Sequence, residues 1–167
     1  MSRMDWVKDL VRAEQQLEAS DMVEFSVGFD PAKTLQIETS AFMEKLKEIF
    51  VDYSVAFNQM KGAGLGNVKI YGIANTEADF MLFRNGFKLI FSIKKPGQIS
   101  IRFQHQGSFL MPGSTSEGAG ATSQVEDLVE AQWGAFGEVF WTYQNLKLNP
   151  DNMVRYYLSH FIRESAK

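Results

Sequence analysis

The sequence predicts an α+β fold: one domain spanning residues 1–167, with an antiparallel sheet packed on a long central helix. The sheet is expected as a hairpin plus a three- to four-strand meander, with further helices at the N-terminal and C-terminal ends. Three observations lead there. Residues 67–105 alternate apolar and polar side chains about an Asn85-Gly86 turn. Apolar residues recur at three- and four-residue steps from about Thr39 to Met60. The composition, 45% hydrophobic and 22% charged in 167 residues, is that of an ordinary globular domain with a core large enough to stand alone.

Residues 4–19 read as an amphipathic helix with Val7, Leu10, Val11 and Leu17 on one stripe, and Ser2 with Asp5 at capping-box spacing. Val23, Phe25, Val27 and Phe29 then alternate with Glu24, Ser26 and Gly28, which is the period of a half-buried strand. Asp30-Pro31 interrupts, and Leu35 to Thr39 alternates again, so a hairpin is the favoured reading. Its competitor is a helix that starts at Pro31 with Asp30 as cap. The long helix follows, carried by Phe42, Leu46, Ile49, Phe50, Tyr53, Phe57 and Met60, and the glycines at 62, 64 and 66 end it.

Within 67–105, a strand at 68–74 precedes two turns. Folding about Asn85-Gly86 sets Leu82 opposite Leu89 and Phe80 opposite Phe91. A three-residue Lys95-Pro96-Gly97 loop sets Ile93 opposite Ile99, Phe91 opposite Ile101 and Leu89 opposite Phe103. Both turns put the same residues on the same face. Residues 107–123, rich in Gly, Ser and Thr, read as a flexible loop. Val125, Leu128, Val129 and Trp133 have helical spacing, so a helix is expected up to Trp133, with 138–147 open between helix and strand. Asn149-Pro150-Asp151 starts a last helix with Val154, Tyr157, Leu158 and Phe161 as its buried stripe. Helix, two strands, helix, three or four strands and closing helical segments is an order similar to that of profilin-like and roadblock-like domains. It is more loosely similar to that of small secretion chaperones; the likeness lies in element order, and no residue motif carries a family assignment.

Composition also narrows the chemistry. The absence of cysteine excludes disulfides, thiolate metal sites and a cysteine nucleophile, and it fits a reducing compartment. Met1 to Trp6 lacks the apolar core of a secretory signal, and runs such as Leu89-Ile90-Phe91 are far too short to span a bilayer. A cytoplasmic protein without membrane insertion is the expectation. Net charge is −3, unevenly distributed. Lys69, Arg84, Lys88, Lys94, Lys95 and Arg102 against Glu77 and Asp79 give 68–105 a net of +4, which leaves −7 for the remainder.

No catalytic, metal or cofactor motif emerges. The glycines at 62–66 follow a helix and precede a strand, the reverse of a phosphate-binding loop. His105 and His160 lack a second histidine at metal-ligand spacing, and His160 falls off the buried stripe. Ser108, Ser114, Ser116 and Ser123 stand in no Gly-x-Ser-x-Gly elbow. Glu126, Asp127 and Glu130 suit the first turns of the expected helix, where they favour its dipole. The reading leans towards a non-enzymatic chain without cofactor, with an enzyme of unrecognised type as the third hypothesis.

One surface stands out. The second face of the sheet carries Tyr71, Ile73, Met81, Phe83 and Ile90, edged by Lys69, Lys88, Lys94 and Arg102. Coverage by the C-terminal helices is the leading reading, since Tyr157, Leu158 and Phe161 also need a partner. The functional reading is a surface for another protein or for a second copy of the chain, with Tyr71, Ile73, Met81, Phe83, Lys88, Ile90 and Arg102 as its candidate binding residues. Base stacking on a basic-rimmed aromatic sheet comes last, because the acidic whole disfavours nucleic acid. The expected function is a dimeric adaptor- or chaperone-like interaction module. The alternative is a carrier holding a small apolar ligand between sheet and long helix.

Overall fold

A computed structural model describes residues 4–20, 30–62, 64, 66–105 and 126–166. The expected strand at 23–29, the capping role of Ser2 and the loop at 107–123 lie outside the described residues. Helix α1 spans Asp5–Ser20 and helix α2 spans Pro31–Lys61. Seven strands follow: β1 Lys69–Gly72, β2 Phe80–Arg84, β3 Phe87–Lys95, β4 Gln98–His105, β5 Glu126–Trp133, β6 Val139–Tyr143 and β7 Leu146–Lys147. Helix α3, Pro150–Ser165, closes the fold. The strands form one antiparallel sheet in sequence order, β1 to β7.

The sheet is therefore a seven-strand meander rather than a hairpin plus a shorter meander. The longest helix stands ahead of every described strand, so the element order differs from that of the domains to which the sequence was likened. Leu35 to Thr39 is helical. Asp30 Oδ1 accepts from the Ala32 and Lys33 amides at 3.1 and 3.3 Å, and Pro31 presets the first turn. Thr39 Oγ1 donates to the Leu35 carbonyl at 2.6 Å and accepts from the Gly97 amide at 2.8 Å, locking α2 to the β3–β4 turn. Thr39, Phe42, Met43, Leu46, Phe50 and Ser54 form the buried stripe, and Met60 is exposed. Gly62, with φ 92°, ends the helix, its amide on the Asn58 carbonyl.

The central registers are those the turns imply: Leu82–Leu89, Phe80–Phe91, Ile93–Ile99, Phe91–Ile101 and Leu89–Phe103. Asn85 and Gly86 both have positive φ, 52° and 84°, as a type I′ turn requires. The second turn differs from expectation. Lys95 pairs with Gln98 directly, leaving Pro96 and Gly97 (φ 86°) as a two-residue turn, and a bulge between Ile93 and Lys95 absorbs the extra residue.

Residues 126–133 form a strand, not a helix. Pairing of Val129 with Ile99 and of Leu128 with Ser100 satisfies the outer edge of β4, a long-range demand that local periodicity does not register. Strands β6 and β7 extend the sheet across 138–147.

The core has one side. Phe80, Leu82, Leu89, Phe91, Ile99, Ile101, Val129 and Trp141 face α2 and α3, whose Phe42, Leu46, Phe50, Val154, Tyr157, Leu158 and Phe161 join the same cluster. Phe91 lies 4.9 Å from Phe80, 5.0 Å from Phe50 and 6.0 Å edge-on from Tyr157, so one ring touches the sheet and both helices. Phe91→Ala is expected to lower unfolding free energy by about 3–5 kcal/mol in urea titration. Asp30→Ala should cost only about 1 kcal/mol, because it frees one helix end and creates no cavity.

Candidate functional site

Helix α3 packs on the same face as α2, which overturns the expectation that the C-terminal helices cover the second face. Neither α2 nor α3 packs on that face. Cross-strand pairing assembles it in rows. Tyr71 neighbours Met81, then Ile90, Arg102 and Glu126; Lys69 neighbours Phe83, then Lys88 and Gln104. Six of the seven candidate residues fall in these two rows. Ile73 follows the end of β1, its amide bound to the Asp79 carbonyl at 3.0 Å. Tyr71 is 43% exposed, and Met81, Phe83, Lys88, Ile90 and Arg102 are half-buried. The face divides along its width. Strands β1 to β3 carry Tyr71, Met81, Phe83 and Ile90, whereas the β4–β6 half is mostly polar, with Gln98, Ser100, Gln104, Glu126, Glu130, Gln132 and Thr142 around Leu128 and Phe140.

A charged network marks the boundary between the halves. Ser100 Oγ donates a short hydrogen bond to Glu126 Oε1, and Lys94 Nζ reaches Glu126 Oε2 at 3.0 Å. The Ser100 bond, followed by Lys94, holds the Glu126 carboxyl below the usual glutamate range. Arg102 Nε, on the neighbouring strand, is buried without a hydrogen-bond partner among the described residues. Asp127, by alternation, points to the core side, where it accepts from Tyr157 Oη at 2.8 Å and Tyr143 Oη at 3.4 Å. Burial, then the neighbouring Asp127 carboxylate, pushes both tyrosines above their ordinary range, so both hydroxyls stay protonated as donors. These carboxylates thus belong to strand contacts and not to a helix first turn.

Two features escaped sequence reasoning. A cavity of about 350 Å³ opens between the β5–β7 end of the sheet and α3, lined by Val129, Tyr143, Lys147, Leu148, Asn149, Asn152, Met153, Tyr156 and Tyr157. In addition, Phe136 stands fully exposed at φ 57° in the short 3₁₀ turn Ala135–Gly137 joining β5 to β6. Strand-forming residues in Val139 to Tyr143 were the available signal for the cavity wall. The histidines take surface positions: His105 stacks on Phe87 at 3.9 Å, and His160 lies edge-on to Phe103 at 6.1 Å. Among the described residues no group of His, Asp and Glu has metal-site geometry, and no helix is long and apolar enough to cross a membrane. Comparison with protein-family models, curated proteins and solved structures finds no match to this chain.

Glu126 makes a pH prediction. A carboxyl depressed in the folded state contributes stability above its ordinary value near 4.5, and that contribution fades as pH falls through the depressed value. Thermal melts of Glu126→Gln should therefore lie below wild type near neutrality and converge with it in acid.

Proposed function

We propose that the chain is a non-enzymatic protein–protein interaction module, adaptor- or chaperone-like and dimeric, whose binding surface is the open sheet face. A cytoplasmic location goes with this reading, since a cysteine-free chain suits a reducing compartment. The observation that carries it is the contiguous row of Tyr71, Met81 and Ile90 beside Phe83, on the face opposite α2 and α3. An antiparallel sheet with one wet face ordinarily alternates apolar-in and polar-out. Strands β4 to β6 follow that rule apart from Leu128 and Phe140; β1 to β3 break it more fully, and a concentrated apolar surface is a mark of interaction sites. Lys69, Lys88 and Arg102 around it favour a partner that brings acidic residues to an apolar centre.

The carrier reading finds less support. Phe50, Phe80 and Phe91 occupy the space between sheet and α2 with ring centroids 4.9–5.9 Å apart, which is contact packing. A small apolar ligand would be better accommodated in the cavity beside Tyr143 and Tyr157.

Phe83→Ser combined with Ile90→Ser tests the face. Both side chains lie on the side away from α2 and α3, so the melting temperature should stay within a few degrees of wild type. Binding to any protein that the wild-type chain captures should fall by about tenfold or more. Undiminished binding by the folded double variant would remove this face from the reading.

A further inference from the structure

The sheet face is not the only apolar surface left open. Helix α1 exposes Trp6, Leu10 and Val11 at 54%, 40% and 49%, and none of its described residues joins the buried core. A 16-residue helix of this kind gains little stability by itself in water and depends on packing its apolar side. Its charges are sorted by side. Lys8 and Arg12 lie within 3.7 and 3.9 Å of Asp5 and Asp9 on the polar side. Glu14, four residues after Leu10 and three after Val11, stands on the apolar side. The helix thus presents an apolar stripe that turns acidic. The sheet presents an apolar patch rimmed by Lys69, Lys88 and Arg102, with Arg102 Nε lacking an acceptor among the described residues.

We infer that the open sheet face binds α1 of a second copy of this chain. Leu10 and Val11 would cover Met81, Phe83 and Ile90, with Glu14 directed to Lys88 or Arg102. This rests on the reading of the sheet face as a protein-binding surface and names its occupant. Dimensions agree: 16 helical residues extend roughly 24 Å, and the face from β1 to β5 is roughly 19 Å wide. A second copy is the source because α1 leaves Trp6, Leu10 and Val11 exposed in the single chain, and none of them joins the buried core. Two identical chains, each with one donor helix and one acceptor face, close as a two-fold pair with both surfaces covered.

The absence of cysteine makes the test clean. Leu10→Cys and Ile90→Cys are made separately in the full chain, mixed in equal amounts and oxidised. The expected result is a disulfide-linked pair of chains that forms only when both variants are present. In parallel, Leu10→Asp, at an exposed position where folding is not at stake, should weaken dimerisation by roughly tenfold or more in analytical ultracentrifugation. A bond that closes within one monomeric Leu10→Cys/Ile90→Cys chain would overturn the second copy as occupant. Ile90→Cys linking to itself, and never to Leu10→Cys, would overturn α1 while leaving the face as an interface. A chain monomeric at all concentrations, whose Ile90→Cys thiol reacts at the same rate with or without captured protein, would overturn both the occupant and the surface.

Discussion

The contact among Phe50, Phe80, Phe91 and Tyr157 is the constraint on which the rest of this structure depends. Phe91 occupies the middle strand of the β2–β4 run, and its ring meets one ring from the sheet and one from each of α2 and α3. A side chain of this size contributes on the order of several kcal/mol when buried among others like it. Because both helices draw on the same ring, both settle on the same face. The fold becomes two layers, helices on sheet, and the sheet's other face has no layer from α2 or α3.

Polar contacts then fix how the helices lie on that face. The buried Arg84 guanidinium donates from Nε to the Gly66 carbonyl at 2.7 Å and from Nη1 to the Ile162 carbonyl at 2.9 Å, with the Phe57 ring 5.3 Å away. Asn85, in the β2–β3 turn, donates to the Ser165 carbonyl at 2.9 Å. A cation and an amide at the last carbonyls of α3 satisfy acceptors that the helix cannot satisfy internally, and they favour the negative end of its dipole. Asn58 does the equivalent for α2, exchanging two 2.9 Å hydrogen bonds with the Val68 backbone and so fastening the helix C-terminus to the entrance of β1. Tyr157 and Asp127 tie the middle of α3 to β5. Apolar packing chooses the face; these bonds set position and angle.

That division explains the character of the exposed surface. On the polar half of the open face, Ser100, Glu126 and Lys94 satisfy one another. On the half made by β1 to β3, Met81, Phe83 and Ile90 have neighbours within the sheet but no layer from α2 or α3. The same chain carries an acidic, amphipathic α1 with Trp6, Leu10 and Val11 exposed.

Local chemistry was enough to establish the centre of the sheet. Asn85-Gly86 demands positive φ at two adjacent positions, and alternation on either side then leaves one register that buries Phe80, Leu82, Leu89 and Phe91 together. Asn149 and Pro150 likewise announce α3 through its cap. Residues 126–133 show the opposite case. Leu128, Val129 and Trp133 fit a helical stripe as well as a strand, and only the unpaired edge of β4, more than twenty residues away in sequence, selects the strand. Leu35 to Thr39 alternates like a strand, yet the Asp30 cap and the Thr39–Gly97 contact make it helix. Alternation by itself identified the two faces of the sheet and the residues on each. Which face the helices would cover was decided by the tertiary structure alone, because α3 could have packed on either apolar side and was drawn to the one where α2 and Phe91 already offered a ring-lined seat.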